Sequence, residues 1–228
     1  MIRVSTGNAP TDHPSPLAIP AKRTRSREPH VPPFTIIVDT REQTSISFEG
    51  LFDSFDEEVS PYEFIAMNGR SKQDNRPIAV KTKIGTLATG DYSIEGMQEL
   101  VTVERKSLTD LYGTLASGRE RFEREHERMK AMSLAGGRAC VVIEASFSES
   151  LETAPVWSNL HPNSVFGYAV SWPSRYLTPW VWAGGRRGAE EFTYRFLEMF
   201  WREQQKNKEE HQPHPLRSNP DDSSSHQL

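Results

Sequence analysis

The sequence holds one cysteine, Cys140, among 228 residues. That excludes a disulfide framework and any zinc site built from several cysteines. No apolar run approaches the roughly 18–20 residues of a membrane span, so no membrane partner is expected. Met1 to Pro10 lacks the apolar stretch of a secretory signal, and the expected location is the cytoplasm. Excess positive charge is missing too. Lys and Arg number 27 against 31 Asp and Glu, a formal net charge of −4. This argues against a protein that coats DNA by charge alone, but not against an enzyme with a local basic face.

Aromatic residues are absent from both ends. All 11 Phe, 6 Tyr and 5 Trp lie between Phe34 and Trp201. Residues 1–33 are Pro-rich and carry a basic cluster at Lys22, Arg23, Arg25 and Arg27. They have too little apolar surface to offset the entropy of ordering and are expected to be disordered. The cluster is either a solvated tail or a nucleic-acid contact. Residues 203–228 are polar and net acidic, and disorder is expected there too. One domain over 34–202 remains, long enough to bury its own core. No internal repeat is present.

Within that domain strand and helix patterns alternate. Phe34–Val38 reads as a buried strand, and Ile78–Ile84, alternating apolar and polar, as a half-buried one. Tyr92–Ile94 and Leu100–Glu104 flank Gly96 as a hairpin. Residues 107–132 read as one helix or two, with a break near Gly113 or Gly118. Ala139–Ile143 is an apolar strand, and Cys140 in it reads as a core thiol. Asn163 is the expected cap of a helix to about Trp172. Pro179–Ala183 reads as a short strand. Gly188–Trp201 reads as a helix with Phe192, Phe196, Leu197 and Phe200 on its apolar face. The expected class is α/β, a mixed central β-sheet flanked by helices.

The chemistry concentrates in Gly90-Asp91-Tyr92 and Val103-Glu104-Arg105-Lys106. With Gly96 to Glu99 as the hairpin loop, Ile94 pairs with Val101 and Asp91 falls opposite Glu104. Opposed Cβ atoms on antiparallel strands stand about 4.5–5.5 Å apart. Two carboxylates that close repel unless a cation lies between them, and Mg²⁺ or Mn²⁺ bound through one or two carboxylates suits the gap. Lys106, two residues beyond Glu104, shares its strand face. An ammonium there can offset charge on a phosphate under attack. Val101 and Val103 point the other way. This is the site logic of metal-dependent phosphodiester hydrolysis. Each fragment also has a plain reading: Gly-Asp is common in turns, and Glu-x-Lys recurs in any charged chain. Asp39 follows the buried run Ile36-Ile37-Val38. It is either a third carboxylate at a strand's carboxyl end, near Arg41 and Glu42, or a turn cap.

Together these residues resemble the XPF-type structure-specific nuclease family, whose pattern is Gly-Asp-x(n)-Glu-Arg-Lys-x(3)-Asp. The chain reads Gly90-Asp91, then Glu104-Arg105-Lys106, then Asp110. Val38-Asp39-Thr40-Arg41-Glu42 resembles the family's Val-Asp-x-Arg-Glu, and Val141-Val142-Ile143-Glu144 its later strand. The resemblance covers roughly residues 34–200. It implies a restriction-endonuclease-like core and cleavage of DNA with Mg²⁺ or Mn²⁺. It implies that Asp39, Asp91 and Glu104 bind the metal, that Lys106 is catalytic and that Arg105 is an essential site arginine. Strand alternation faces Arg105 away from Lys106. Asp110 braces Arg105 or Lys106, or caps the following helix, with Glu42 and Glu144 in support. The foldable part ends near Trp201 and leaves no room for the tandem helix–hairpin–helix modules of many family members. In this the chain looks like the short, stand-alone nucleases of bacteria and their phages, which places it in a bacterial or phage-infected cell.

Residues 119–130 put Arg121, Arg124 and Arg128 in one helical stripe, with Phe122 and Met129 about 90° away. The stripe either contacts DNA phosphates or pairs with neighbouring glutamates. Arg119, nearest the hairpin in sequence, is the arginine expected to face the site, and Arg41 is a further DNA contact. Trp172, Tyr176, Trp180 and Trp182 are expected in the core or an interface rather than stacked on bases. Family members pair through their last helices. Phe192, Phe196 and Phe200 form either such a homodimer seam or the core of one chain. Arg186-Arg187 reads as a solvated loop tip. His126 and His161 have no ligand-spaced partner. The expected function is a metal-dependent endonuclease acting on structured DNA, at branches, flaps or junctions, in repair or recombination. A catalytically inactive DNA-binding or dimerisation module, a DNA-degrading or restriction nuclease, and action on RNA are the alternatives.

Overall fold

The computed structural model describes residues 28–52 and 76–210. The expectations for residues 1–27 and 211–228 lie outside these. Six strands form one sheet in the order β2-β1-β3-β4-β5-β6. They are β1 (Thr35–Asp39), β2 (Lys81–Gly85), β3 (Tyr92–Ile94), β4 (Val101–Lys106), β5 (Arg138–Ile143) and β6 (Trp180–Trp182). The pairings β1–β3 and β3–β4 are antiparallel; β1–β2, β4–β5 and β5–β6 are parallel. The sheet is therefore mixed, as expected. Tyr92 pairs with Val103, and that register sets Asp91 opposite Glu104.

The helices are α1 (Leu108–Ala116), α2 (Arg119–Leu134), α3 (Phe147–Glu152), α4 (Pro162–Tyr176) and α5 (Arg186–Glu210). They cover both sheet faces. On one face Val101, Val103, Cys140 and Val142 pack with Tyr194, Leu197 and Phe200 of α5. On the other, Val141 and Ile143 pack with residues of α1, α2 and α4. Strand alternation sends odd and even residues of β4 to opposite cores. Among the described residues no helix is long and apolar enough to cross a membrane.

Several expectations shift. Strand β2 is not half-buried: Lys81–Ile84 are all exposed, because β2 is an edge strand that no helix among the described residues covers. The helix break falls at Gly118 and not at Gly113, which lies inside α1. His161, not Asn163, caps α4; its Nδ1 accepts from the Asn163 N–H, and Pro162 takes the first helical turn. Helix α3 was not anticipated. His30 bridges to Ile78, and α5 runs on to Glu210, past residue 202, on polar residues. Phe192 and Phe196 stack on each other, 5.9 Å between centroids, and pack on the sheet core with Phe200. The α5 aromatics thus serve this chain's own core.

Candidate active site

At the β4 end, on the α2 side of the sheet, lies a cavity of about 490 Å³. Asp91, Glu104, Lys106 and Asp110 line it, with Arg41, Arg105, Arg121, Glu125 and Arg128. The hairpin makes the centre. Gly90 has φ +75°, and a Cβ there would lie 2.0 Å from Thr102 Oγ1. Only glycine lets β3 start this close to β4. The Asp91 N–H then donates to the Val103 carbonyl, and the Arg105 N–H donates to Asp91 Oδ2 at 2.8 Å. One Asp91 oxygen is held by backbone while the carboxylate lines the cavity.

Glu104 and Lys106 share the α2 side of β4. Lys106 Nζ donates to Glu104 Oε1 and sits over the Phe122 ring, 5.1 Å from its centroid. Burial pushes the Asp91 carboxyl up to about 6; the Lys106 charge opposes this, and Glu42 and Glu125 add to it. Burial also holds Glu104 above the carboxylate range, against the pull of Lys106. Burial works against the Lys106 charge, but Glu104 and Asp91 outweigh it and keep the ammonium protonated. A half-buried and a buried acid served mainly by one lysine are short of positive charge.

Arg105 faces the other side, as alternation requires. Its guanidinium lies between Glu42 and Glu144, at 3.0 Å from each. Those carboxylates hold it charged despite burial. Glu144 also takes Arg186 at 2.9 Å. Arg105 therefore ties the loop after β1, the end of β5 and the start of α5 to the site strand. Arg186 and Arg187 are not a solvated tip: they donate to carbonyls of Ser45, Glu49 and Gly50. Asp110 accepts from the Ser107 hydroxyl at 2.7 Å, while Ser107 caps α1.

Three expected residues do not join the centre. Asp39 is beside it through its backbone, whose N–H donates to the Asp91 carbonyl. Its carboxylate, however, accepts from Arg41 Nε at 2.6 Å, from Arg41 Nη2 at 3.1 Å and from the Leu87 N–H at 2.6 Å. Burial would raise this acid, and those hydrogen bonds more than reverse it. Among the described residues no three acids stand together at metal-ligand geometry. Arg119 turns away to the Tyr168 ring, 5.6 Å from its centroid. Arg124 is exposed and does not line the cavity, whereas Arg121 and Arg128 do. Glu125 was missed. It lies at i+4 from Arg121 and i−3 from Arg128, so the same helical wheel that selected those arginines places it on their face.

The sequence pattern of the ERCC4 domain matches residues 38–183, from the end of β1 past the end of β6. The chain belongs to the ERCC4 domain family. This is the XPF-type nuclease family that the Gly-Asp and Glu-Arg-Lys segments resemble. Among solved structures, this ERCC4 domain is similar to XPF from Aeropyrum pernix. Identity is 17%, the TM-score 0.45, and the match covers 77% of this chain and 69% of that one. It is also similar to XPF from Aeropyrum pernix in complex with DNA. There identity is 18%, the TM-score 0.42, and coverage 76% and 66%. A comparison with curated proteins gives no match. In this ERCC4 domain the elements that carry Asp91, Glu104, Arg105, Lys106 and Glu144 all fall inside the matched span.

Proposed function

We propose that this ERCC4 domain is a Mg²⁺- or Mn²⁺-dependent endonuclease that cuts DNA at branches, flaps or junctions, in repair or recombination. The convergence of Asp91, Glu104 and Lys106 on one polar cavity, from two paired strands, carries the reading. Asp91, half-buried, and Glu104, buried, are hard oxygen donors that share Lys106, and so fit a divalent ion that also takes phosphate oxygens. Such an ion supplies a more acidic bound water and a polarised phosphate.

The chain's own groups divide the remaining tasks. Lys106, kept protonated by Glu104 and Asp91, offsets negative charge on the phosphate under attack. Arg41, Arg121 and Arg128 rim the cavity and hold flanking phosphates. Arg105 is a positioning residue: it fixes the end of β4 through Glu42 and Glu144. Asp39 holds Arg41 in place through both carboxylate oxygens. Asp110 holds the first turn of α1 behind Lys106.

The test is a panel of labelled substrates with Mg²⁺ or Mn²⁺: flap, fork, four-way junction, linear duplex and RNA hairpin. Cuts concentrated at the branched DNAs are the expected result. Equal cutting of linear duplex would favour a degradative role, and preferred cutting of the RNA hairpin an RNA substrate. Binding without cutting in either metal would make the chain a binding module.

A further inference from the structure

We infer that Glu125 of α2 supplies the third carboxylate of the cation site, the part expected for Asp39. The inference rests on the proposed metal-dependent reading of the cavity. A hard divalent ion held by Asp91 and Glu104 has further positions to fill. Of the other acids nearby, Glu42 is held by Arg105 and Asp110 by the Ser107 hydroxyl, which leaves Asp39 and Glu125. They differ in what each would have to give up.

Asp39 accepts four hydrogen bonds. Besides the three from Arg41 Nε, Arg41 Nη2 and Leu87, the Arg41 N–H donates to Oδ1 at 2.9 Å. Two of the four come from the charged guanidinium and together form a fork. Asp39 does not line the cavity. To ligate an ion there it must break an arginine pair and strip a backbone N–H. Glu125 lines the cavity with Asp91, Glu104 and Lys106. Among the described residues its carboxylate has no hydrogen bond or ion pair. Its neighbour Glu123, by contrast, accepts from the Tyr176 hydroxyl at 2.6 Å.

The backbone under Glu125 is anchored on both sides. Phe122, one turn earlier, is buried against Lys106. His126, next in the chain, is buried and receives the Trp180 indole N–H at 2.9 Å. A fixed Cα with an unengaged, three-torsion side chain can swing onto an ion with only rotamer entropy to lose. Among the described residues no three acids already share ligating geometry, so one must move, and Glu125 has the least to break. Its charge already acts on Asp91, Glu104, Lys106 and Arg41. Arg121 and Arg128 flank it on the same helical face, which leaves them for phosphates.

The experiment is Mn²⁺ titration of the full chain by calorimetry, checked by electron paramagnetic resonance, without DNA. Wild type, Asp91→Asn, Glu125→Gln, Glu125→Asp and Asp39→Asn are compared. Glu125→Gln is expected to weaken Mn²⁺ about 10-fold or more, against about 3-fold or less for Asp39→Asn. Glu125→Asp, which keeps the charge, is expected to recover part of the loss. If Asp91→Asn loses Mn²⁺ while Glu125→Gln binds it like wild type, the inference is overturned and the metal-dependent reading stands. If wild type takes up no Mn²⁺, or Asp91→Asn is unchanged, both fall.

Discussion

Gly90 shows how one backbone position decides the site. Its φ of +75° lies in the left-handed region, and Thr102 Oγ1 occupies the space of a side chain. Gly96, in the same hairpin, has φ +81° but nothing within 4 Å of a Cβ. Gly90→Ala is therefore expected to lower unfolding stability by about 2–4 kcal/mol, strain plus clash. Gly96→Ala is expected to lose only the left-handed penalty of about 1–2 kcal/mol. Paired urea melts measure both. Equal losses would mean that the close approach at Thr102 is not what selects glycine.

His126 gives a second residue-scale outcome. Its Nε2 accepts from Trp180, and Nδ1 faces the Phe122 carbonyl at 2.9 Å. The neutral ring protonated on Nδ1 satisfies both. Burial pushes its pKa down to about 4, from 6.5. The unfolded chain therefore binds the proton first. The His126 contribution is fully present above pH 6.5 and is lost as pH falls toward 4, a loss on the order of 3 kcal/mol. Urea melts from pH 7 to 4 on wild type and His126→Phe check it. The variant should start less stable, because the Trp180 N–H is left unpaired, and should show a shallower acid slope.

At the scale of elements, α2 carries both the wall of the cavity and its cationic rim. Arg121 and Arg128 line the cavity, while Arg124 faces solvent and Arg119 lies on Tyr168. Arg121→Ala and Arg128→Ala are expected to weaken binding to all DNA sequences alike. Each should reduce the slope of log affinity against log salt by about 0.9. Arg124→Ala and Arg119→Ala should leave the slope nearly unchanged. Fluorescence anisotropy at several salt concentrations decides this. Helical periodicity alone selected three arginines, but it could not say which edge of the stripe meets the sheet. Phe122 settles that by packing under Lys106, and the rotation this imposes brings Glu125 in and leaves Arg124 out.

Other elements were legible to different depths for physical reasons. The β3–β4 register followed from the loop at Gly96, because pairing in a tight hairpin leaves few choices. Strand β2 misled, because alternation implies one buried face only where a second layer exists. Helix α3 had a readable signal in Ser146-x-x-Glu149, which forms a capping box. Its six residues are too short for hydrophobic periodicity to register. The Arg105 clamp lay beyond local reading altogether. Its partners Glu42 and Glu144 are brought to it from the segments after β1 and β5 by tertiary structure, and strand alternation gave only the direction in which Arg105 points.

At the scale of the whole molecule, the net charge of −4 says nothing of a centre where Asp91 and Glu104 share Lys106. Asp91 titrates near 6 in the fold against 3.8 for the ordinary group. With a folded pKa above the unfolded one, its contribution is complete below pH 3.8 and is lost as pH rises through about 6. A divalent ion at the site has the opposite preference, since it needs the carboxylate. The melting temperature gained with 5 mM-range Mg²⁺ or Mn²⁺, roughly a few degrees at saturation, is expected to be larger at pH 7.5 than at pH 5. Thermal melts at the two pH values test it, and an Asp91→Asn chain should show little gain at either.

The proposed chemistry joins Asp91, Glu104 and Lys106 in one phosphodiester hydrolysis centre. The most direct measurement is the cleavage rate of a labelled flap or junction DNA in Mn²⁺ by wild type, Asp91→Asn and Glu104→Gln, with folding checked by melting temperature. Wild type is predicted to cut, and each variant to lose activity by about 10³-fold or more, as when a group acting in the transition state is removed. Folded variants that cut at the wild-type rate would contradict the account.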